Sequence, residues 1–177
     1  MQPVRINEAE AFLEPYFDAS HSGLHETYEY RWLGGATGRV RAGFAAVELD
    51  ITPGEIGAPA CIMEKACDAD VHEYDELRAL ISLPAWASVV IEVDGEDGWR
   101  RVVDSAGLGT TGEYAGLLPY RRITGIRYTF AVLKNTDITA AIRWLGVADR
   151  SGVQAMLDRR SPYAPEWPLM LRPSAED

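Results

Sequence analysis

Between Asp68 and Pro84 the chain reads DADVHEYDELRALISLP. Asp68, Asp70, Glu73, Asp75 and Glu76 place five carboxylates within nine residues, with His72 among them. Clustered oxygen ligands are what a hard cation such as Ca2+ requires, and an imidazole beside carboxylates can move a proton. A calcium loop also needs a glycine turn and fixed spacing, which this stretch lacks. As acid–base machinery it is poorer still, because so many acids without apolar shielding stay ionised and hydrated. The stretch therefore reads as the wet rim of a buried strand, with Tyr74 and Leu77 turned inward and the carboxylates in solvent. No cofactor is expected; the one ion the stretch could suit is a structural calcium.

Other constellations are thinner. His21 and His25 stand four apart, but Gly23 between them argues against a helix that would aim both at a metal, and no third ligand is evident. GLGTTGEYAG, 107–116, lacks the Lys-Ser or Lys-Thr of a phosphate loop and reads as a mobile connection between strands. Cys61 and Cys67 would lie about 20 Å apart on one extended strand, beyond disulfide reach, so both are expected as thiols. No Gly-x-Ser-x-Gly elbow supports a serine nucleophile.

A more suitable mixture is spread over the turns. A sugar face stacks on an aromatic ring while its hydroxyls need charged or amide partners. Trp86 and Trp99 sit at turns, and Glu113 and Tyr114 lie close in sequence to Tyr120, Arg121 and Arg122. Trp86, Trp99, Tyr114, Glu113 and Arg121 are the expected ligand-binding residues. For Tyr114 and Tyr120 the plainer alternative is that they cover the end of the core. Trp144, inside an apolar strand, and Trp32 are expected in the core.

These side chains must be carried by strands. Segments 27–33, 39–51, 61–71, 77–83, 88–93, 99–104, 123–133 and 138–147 are β-rich runs bounded by Gly, Pro or Asp. SVVIEVDGEDGWRRVV predicts a hairpin with a four- or five-residue loop. Ala11, Phe12 and Tyr16 have helix-like spacing until Pro15 interferes, which predicts a short helix within 7–17. Val153, Met156 and Leu157 predict another at 151–160, with Ser151 as its cap. About eight strands without alternating helices argue for an all-β fold, an antiparallel jelly-roll β-sandwich. The expected organisation is a lead-in over 1–26, the sandwich over 27–149, the helix over 150–160 and a Pro- and Trp-rich tail or linker over 161–177, in which Tyr163 and Trp167 would dock on a formed surface.

The length of 177 residues suits one domain, and no run of about 20 apolar residues could span a membrane as a helix. A net charge of −10 opposes binding to nucleic acid and to anionic membranes. The charge is uneven: ten acids face Lys65 and Arg78 between Cys61 and Trp99, whereas five arginines face Asp104 and Glu113 between Arg100 and Phe130. The opening residues show no basic region followed by an apolar run, so the expected location of the chain as it stands is cytoplasmic.

Asp70, Val71, Tyr74 and Leu77 resemble the D-x-S-x-Y-x-x-L opening strand of galactose-binding-like jelly rolls, a group that includes many carbohydrate-binding modules. ITGIRYTF, 123–130, resembles the strand after the ligand-side loop of that group, and AAIRWLGVAD, 140–149, its closing strand. Arg143 and Trp144 stand where the closing strand commonly holds an Asp-containing motif, so no ligand or calcium residue carries over there. RWLGVADRSGVQAMLDRRSPYAPEWP is similar to the junction after the N-terminal β-sandwich of heparinase-like polysaccharide lyases. The resemblance implies a noncatalytic domain of a polysaccharide-degrading enzyme that binds a glycan or braces a following catalytic domain. Two alternatives stay open: a small stand-alone enzyme on a sugar or other small molecule using Glu113, Asp104 or His72 as acid or base, and a purely structural interaction domain.

Overall fold

The structure is a computed structural model that describes residues 4–5, 9–14, 28–43, 46–105 and 111–151. His21, His25, most of the predicted C-terminal helix and the 161–177 tail with Tyr163 and Trp167 lie outside the described residues. The strands are β1 (Val4–Arg5), β2 (Glu10–Glu14), β3 (Glu29–Trp32), β4 (Thr37–Gly43), β5 (Ala46–Thr52), β6 (Pro59–Asp70), β7 (Glu76–Ser82), β8 (Ala87–Asp94), β9 (Arg100–Asp104), β10 (Thr111–Leu117), β11 (Arg122–Val132) and β12 (Ile138–Ala148). All pairings are antiparallel.

Two sheets result. In sheet A, β12 is central, with β7 and then β10 on one side and β5–β4 and β2–β1 sharing the other. Sheet B runs β3–β6–β11–β8–β9. Strict alternation makes the sandwich: in β8, Ala87, Val89, Ile91 and Val93 are buried while Ser88, Val90, Glu92 and Asp94 face out. Inward residues of both sheets, among them Leu49, Leu77, Ile81, Ile91, Ile126, Tyr128, Phe130 and Leu145, form one apolar cluster. Leu77 and Tyr74 belong to it, as the sequence predicts. Cys61 is a buried thiol pushed up to about 12 by desolvation, Cys67 is a half-buried thiol, and no disulfide joins them.

Four local expectations are corrected. The predicted N-terminal helix is instead strand β2: Ala9, Ala11 and Leu13 alternate into the core, and period two prevails over the spacing of Ala11, Phe12 and Tyr16. The run 39–51 is two strands, β4 and β5, whose register pairs Gly43 with Ala46. The glycine-rich 107–116 stretch contributes β10, seven residues paired with β7. A Cβ on Gly116 would stand 1.9 Å from Val102 O, so this glycine serves close approach to β9 rather than a loose loop. Trp144, expected in the core, lies half-exposed outside it. Ile138, Ala140 and Ile142 point inward, and so do Leu145 and Val147, which requires one extra residue between the two sets. The register with β7 shows it, stepping from Ile142 to Trp144 while β7 advances by one, so a β-bulge turns Arg143 and Trp144 outward together.

Candidate functional site

The acidic stretch is engaged with cationic and imidazole partners. Arg122 donates from Nε and Nη2 to the two carboxylate oxygens of Asp68, each at 2.6 Å. Asp70 accepts from the backbone N–H of His72 at 3.1 Å and lies 2.6 Å from its Nδ1. Asp75 accepts the backbone N–H of Arg150 at 2.8 Å. Glu76 departs from the expected solvent exposure: only 3% exposed, it accepts from Arg78 Nε at 2.6 Å and from Arg150 Nε at 2.9 Å. Burial alone would raise its pKa, but the two guanidinium groups outweigh that and hold it below the usual carboxylate range. Asp68 and Asp70 are lowered as well, chiefly by hydrogen bonds from Arg122 and His72. Among the described residues no group of three or more His, Cys, Asp or Glu gathers as a metal site would.

The five predicted ligand residues fall in three places. Trp99 follows the β8–β9 turn, in which Gly98 takes φ 87° and donates its N–H to Gly95 O. Tyr120 anchors that turn by donating its hydroxyl to Gly98 O at 2.7 Å, and a Cβ on Gly95 would stand 2.4 Å from its ring. Arg121 follows Tyr120 and lines a cleft of about 580 Å3 with Glu96 and Arg122. Trp99 and Arg121 therefore share one end of the sandwich. Trp86 lies at the other, beyond the full length of β8, with Lys134 Nζ 5.0 Å from its ring centre. Glu113 and Tyr114 sit on β10 in sheet A, where Tyr114 packs against the core and Glu113 faces Arg78 Nη1 at 3.5 Å. Convergence of Trp86, Trp99, Tyr114 and Arg121 in one site is thus corrected: strand length and the change of sheet keep them apart.

What assembles instead is a face. On the outer side of sheet B, Arg31 of β3 lies 3.6 Å from Glu64 of β6, and Arg127 of β11 donates to Glu64 at 2.8 Å and reaches Glu92 of β8 at 3.7 Å. Glu92 stands in register with Arg101 of β9, which in turn pairs with Asp104 at 3.0 Å. Arginine and glutamate thus alternate across all five strands. Trp99 lies over the middle of this ladder: the Arg127 guanidinium is 3.9 Å from its ring centre, and the indole covers Gly125, where a Cβ would stand 2.8 Å from it. Such a row offers fixed donors and acceptors in alternation, suited to vicinal hydroxyls. Apart from Trp99, the ladder residues escape single-sequence reading, because each is an ordinary outward strand residue until the register aligns it with its neighbours.

Asp104 and His72, the other acid–base candidates, are held by Arg101 and Asp70. Among the described residues, the carboxyls whose ionisation departs clearly from ordinary, Asp50, Asp68, Asp70 and Glu76, are all lowered.

No family model matches the chain, and no curated protein does. Solved structures do. A family 29 carbohydrate-binding module, with an aspartate replaced to probe ligand recognition, is 12% identical over 89% of this chain and all of its own, with a TM-score of 0.51. A second form of such a module, with a lysine replaced and complexed with cellulohexaose, is 14% identical, covers 80% of this chain and 93% of its own, and has a TM-score of 0.50. An agarase matches 80% of this chain with 25% of its own at 10% identity and a TM-score of 0.54. The all-β sandwich read from the sequence is thus a fold shared with these family 29 modules and with part of the agarase.

Proposed function

We propose that the chain is a noncatalytic glycan-binding domain whose ligand lies across the outer face of sheet B, bounded by Trp99 and the Arg121 cleft. The observation that carries this reading is the Arg31–Glu64–Arg127–Glu92 row, carried on paired strands, with the Trp99 indole lying on its central Arg127. Rigid strands present these groups with little ordering cost, which is what weak hydroxyl-by-hydroxyl recognition needs. The charges cancel along the row and the chain carries −10, so a neutral oligosaccharide suits the face better than a sulfated one. The similarly folded module complexed with cellulohexaose supports a linear neutral glycan. The agarase supports attachment of such a sandwich to a polysaccharide-degrading enzyme.

Absence of catalysis is part of the proposal. A glycosidase needs one carboxyl kept protonated near neutral pH by a raised pKa, whereas among the described residues the clearly shifted carboxyls are lowered by arginine, threonine or histidine partners. The test is calorimetric titration of the full chain with cellohexaose and with agaro-oligosaccharides, beside a reducing-sugar assay on the same polymers. Binding that Trp99→Ala or Arg127→Ala weakens at least tenfold, without turnover, is the expected result. Turnover lost on Glu113→Gln would instead make the domain an enzyme.

A further inference from the structure

The outer face of sheet A holds a second hollow, about 160 Å3, smaller than the roughly 300 Å3 at which pockets for drug-sized ligands begin. Its floor is made by Ala11 of β2 with Gly146 and Ala148 of β12. The depth depends on residue 146 having no side chain, since a Cβ there would stand 2.8 Å from Ala11 O and 3.5 Å from the Trp144 ring. Trp144 lines the hollow because the β12 bulge expels it from the core. The polar rim is Arg78, whose Nη1 lies 3.4 Å from Glu10 Oε1 and 3.5 Å from Glu113 Oε1 while its Nε is fixed by Glu76.

We propose that this hollow binds a single neutral pyranose, as at the end of a glycan chain, independently of the sheet B face. The C–H face of a sugar ring packs on an indole, and its hydroxyls can donate to Glu10 and Glu113 and accept from Arg78. The volume takes one ring and not a chain. Arg78 and Arg150 stand against Glu76, Glu10 and Glu113, so the rim keeps a net negative charge that selects against uronates and sulfated sugars. Because Glu76 also binds Arg150, the guanidinium that organises the rim is held in place before any ligand arrives.

The test is an NMR titration of the full chain with methyl β-D-glucopyranoside and methyl β-D-galactopyranoside, following the indole N–H signals of Trp144 and Trp99 separately. The expected result is a saturable shift of the Trp144 signal with a dissociation constant of about 1 mM, the strength of a weak single-sugar contact. Glu113→Gln, at an exposed strand position, should weaken it about tenfold, the loss expected for one charge-assisted hydrogen bond. Methyl glucuronate should give no shift. A response confined to Trp99 would support the sheet B face and overturn this pocket. Silence of Trp144 at tens of millimolar pyranoside, or a Trp144 shift indifferent to Glu113→Gln, would overturn it as well.

Discussion

The two outer faces of the sandwich use the same side chains to opposite ends. Sheet B spreads arginine and glutamate in a row where every group remains in reach of solvent. On sheet A, Glu76 is drawn under the surface between Arg78 and Arg150, and the neighbouring bulge pushes a tryptophan out. On sheet B the stretch of β11 around Arg127 pairs without interruption with β6 and β8 and carries the row; on sheet A the residue inserted in β12 opens a hollow. Exposed ion pairs contribute little to stability, whereas a buried carboxylate deprived of its place leaves cations uncompensated. The sheet A network should therefore govern folding and the sheet B network binding.

The strongest way to break this division is Glu76→Ala. It should cost about 2 kcal/mol, below the roughly 3–5 kcal/mol of a fully buried pair because Arg78 retains Glu10 and Glu113. Urea denaturation measures it, and a loss under about 0.5 kcal/mol, the size of an ordinary surface change, would remove the contrast between the faces. The same residue sets a pH signature. Its folded pKa is depressed, so its contribution is complete above the unfolded value of about 4.3 and is lost as pH falls through the folded value. Melting curves taken from neutral pH downward should decline below about pH 4, and Glu76→Gln should flatten that decline.

Arg127→Ala comes next. It removes the central rung and the cation over Trp99, leaving Glu64 and Glu92 without their shared partner. A stability loss of about 1 kcal/mol is expected, with a much larger proportional loss of oligosaccharide binding. Equal weakening of folding by Arg127→Ala and Glu76→Ala would erase the distinction.

Gly125→Ala sharpens it. The added methyl would stand 2.8 Å from the Trp99 indole and 3.1 Å from Asp94 Cβ on the paired strand, so the ring should lift while the strand shifts by a few tenths of an ångström. The tryptophan near-ultraviolet circular dichroism should change and glycan affinity should fall, with a stability change within about 1 kcal/mol. Smallest of all should be Arg143→Ala: the bulge residue has no ion-pair partner among the described residues, and its removal should shift stability by under about 0.5 kcal/mol.

Much of the fold is legible in the chain itself. Period-two alternation and the Asp-Gly turn at the β8–β9 hairpin are local, and they identify β6, β7, β8, β9, β11 and β12 to within a residue or two. Even the bulge leaves a trace, since the apolar positions of β12 change parity between Ile142 and Leu145. The misread segments are those in which local chemistry had two uses: glycine in β10 as spacer or as hinge, and alanine in β2 as helix former or as a small core residue.

The sequence by itself determined the β-sandwich, the inward course of Tyr74 and Leu77, the unbridged cysteines and a repertoire of aromatics, arginines and acids suited to sugars. Which of those side chains meet was decided only in three dimensions. Asp68 reaches Arg122 across 54 residues, Glu64 reaches Arg127 across 63, and Glu76 reaches Arg150 across 74. Register between distant strands depends on the whole core packing at once, and a shift of one residue would turn every such side chain to the opposite face. Composition therefore supplies the kinds of side chain, and tertiary register alone decides which of them stand together.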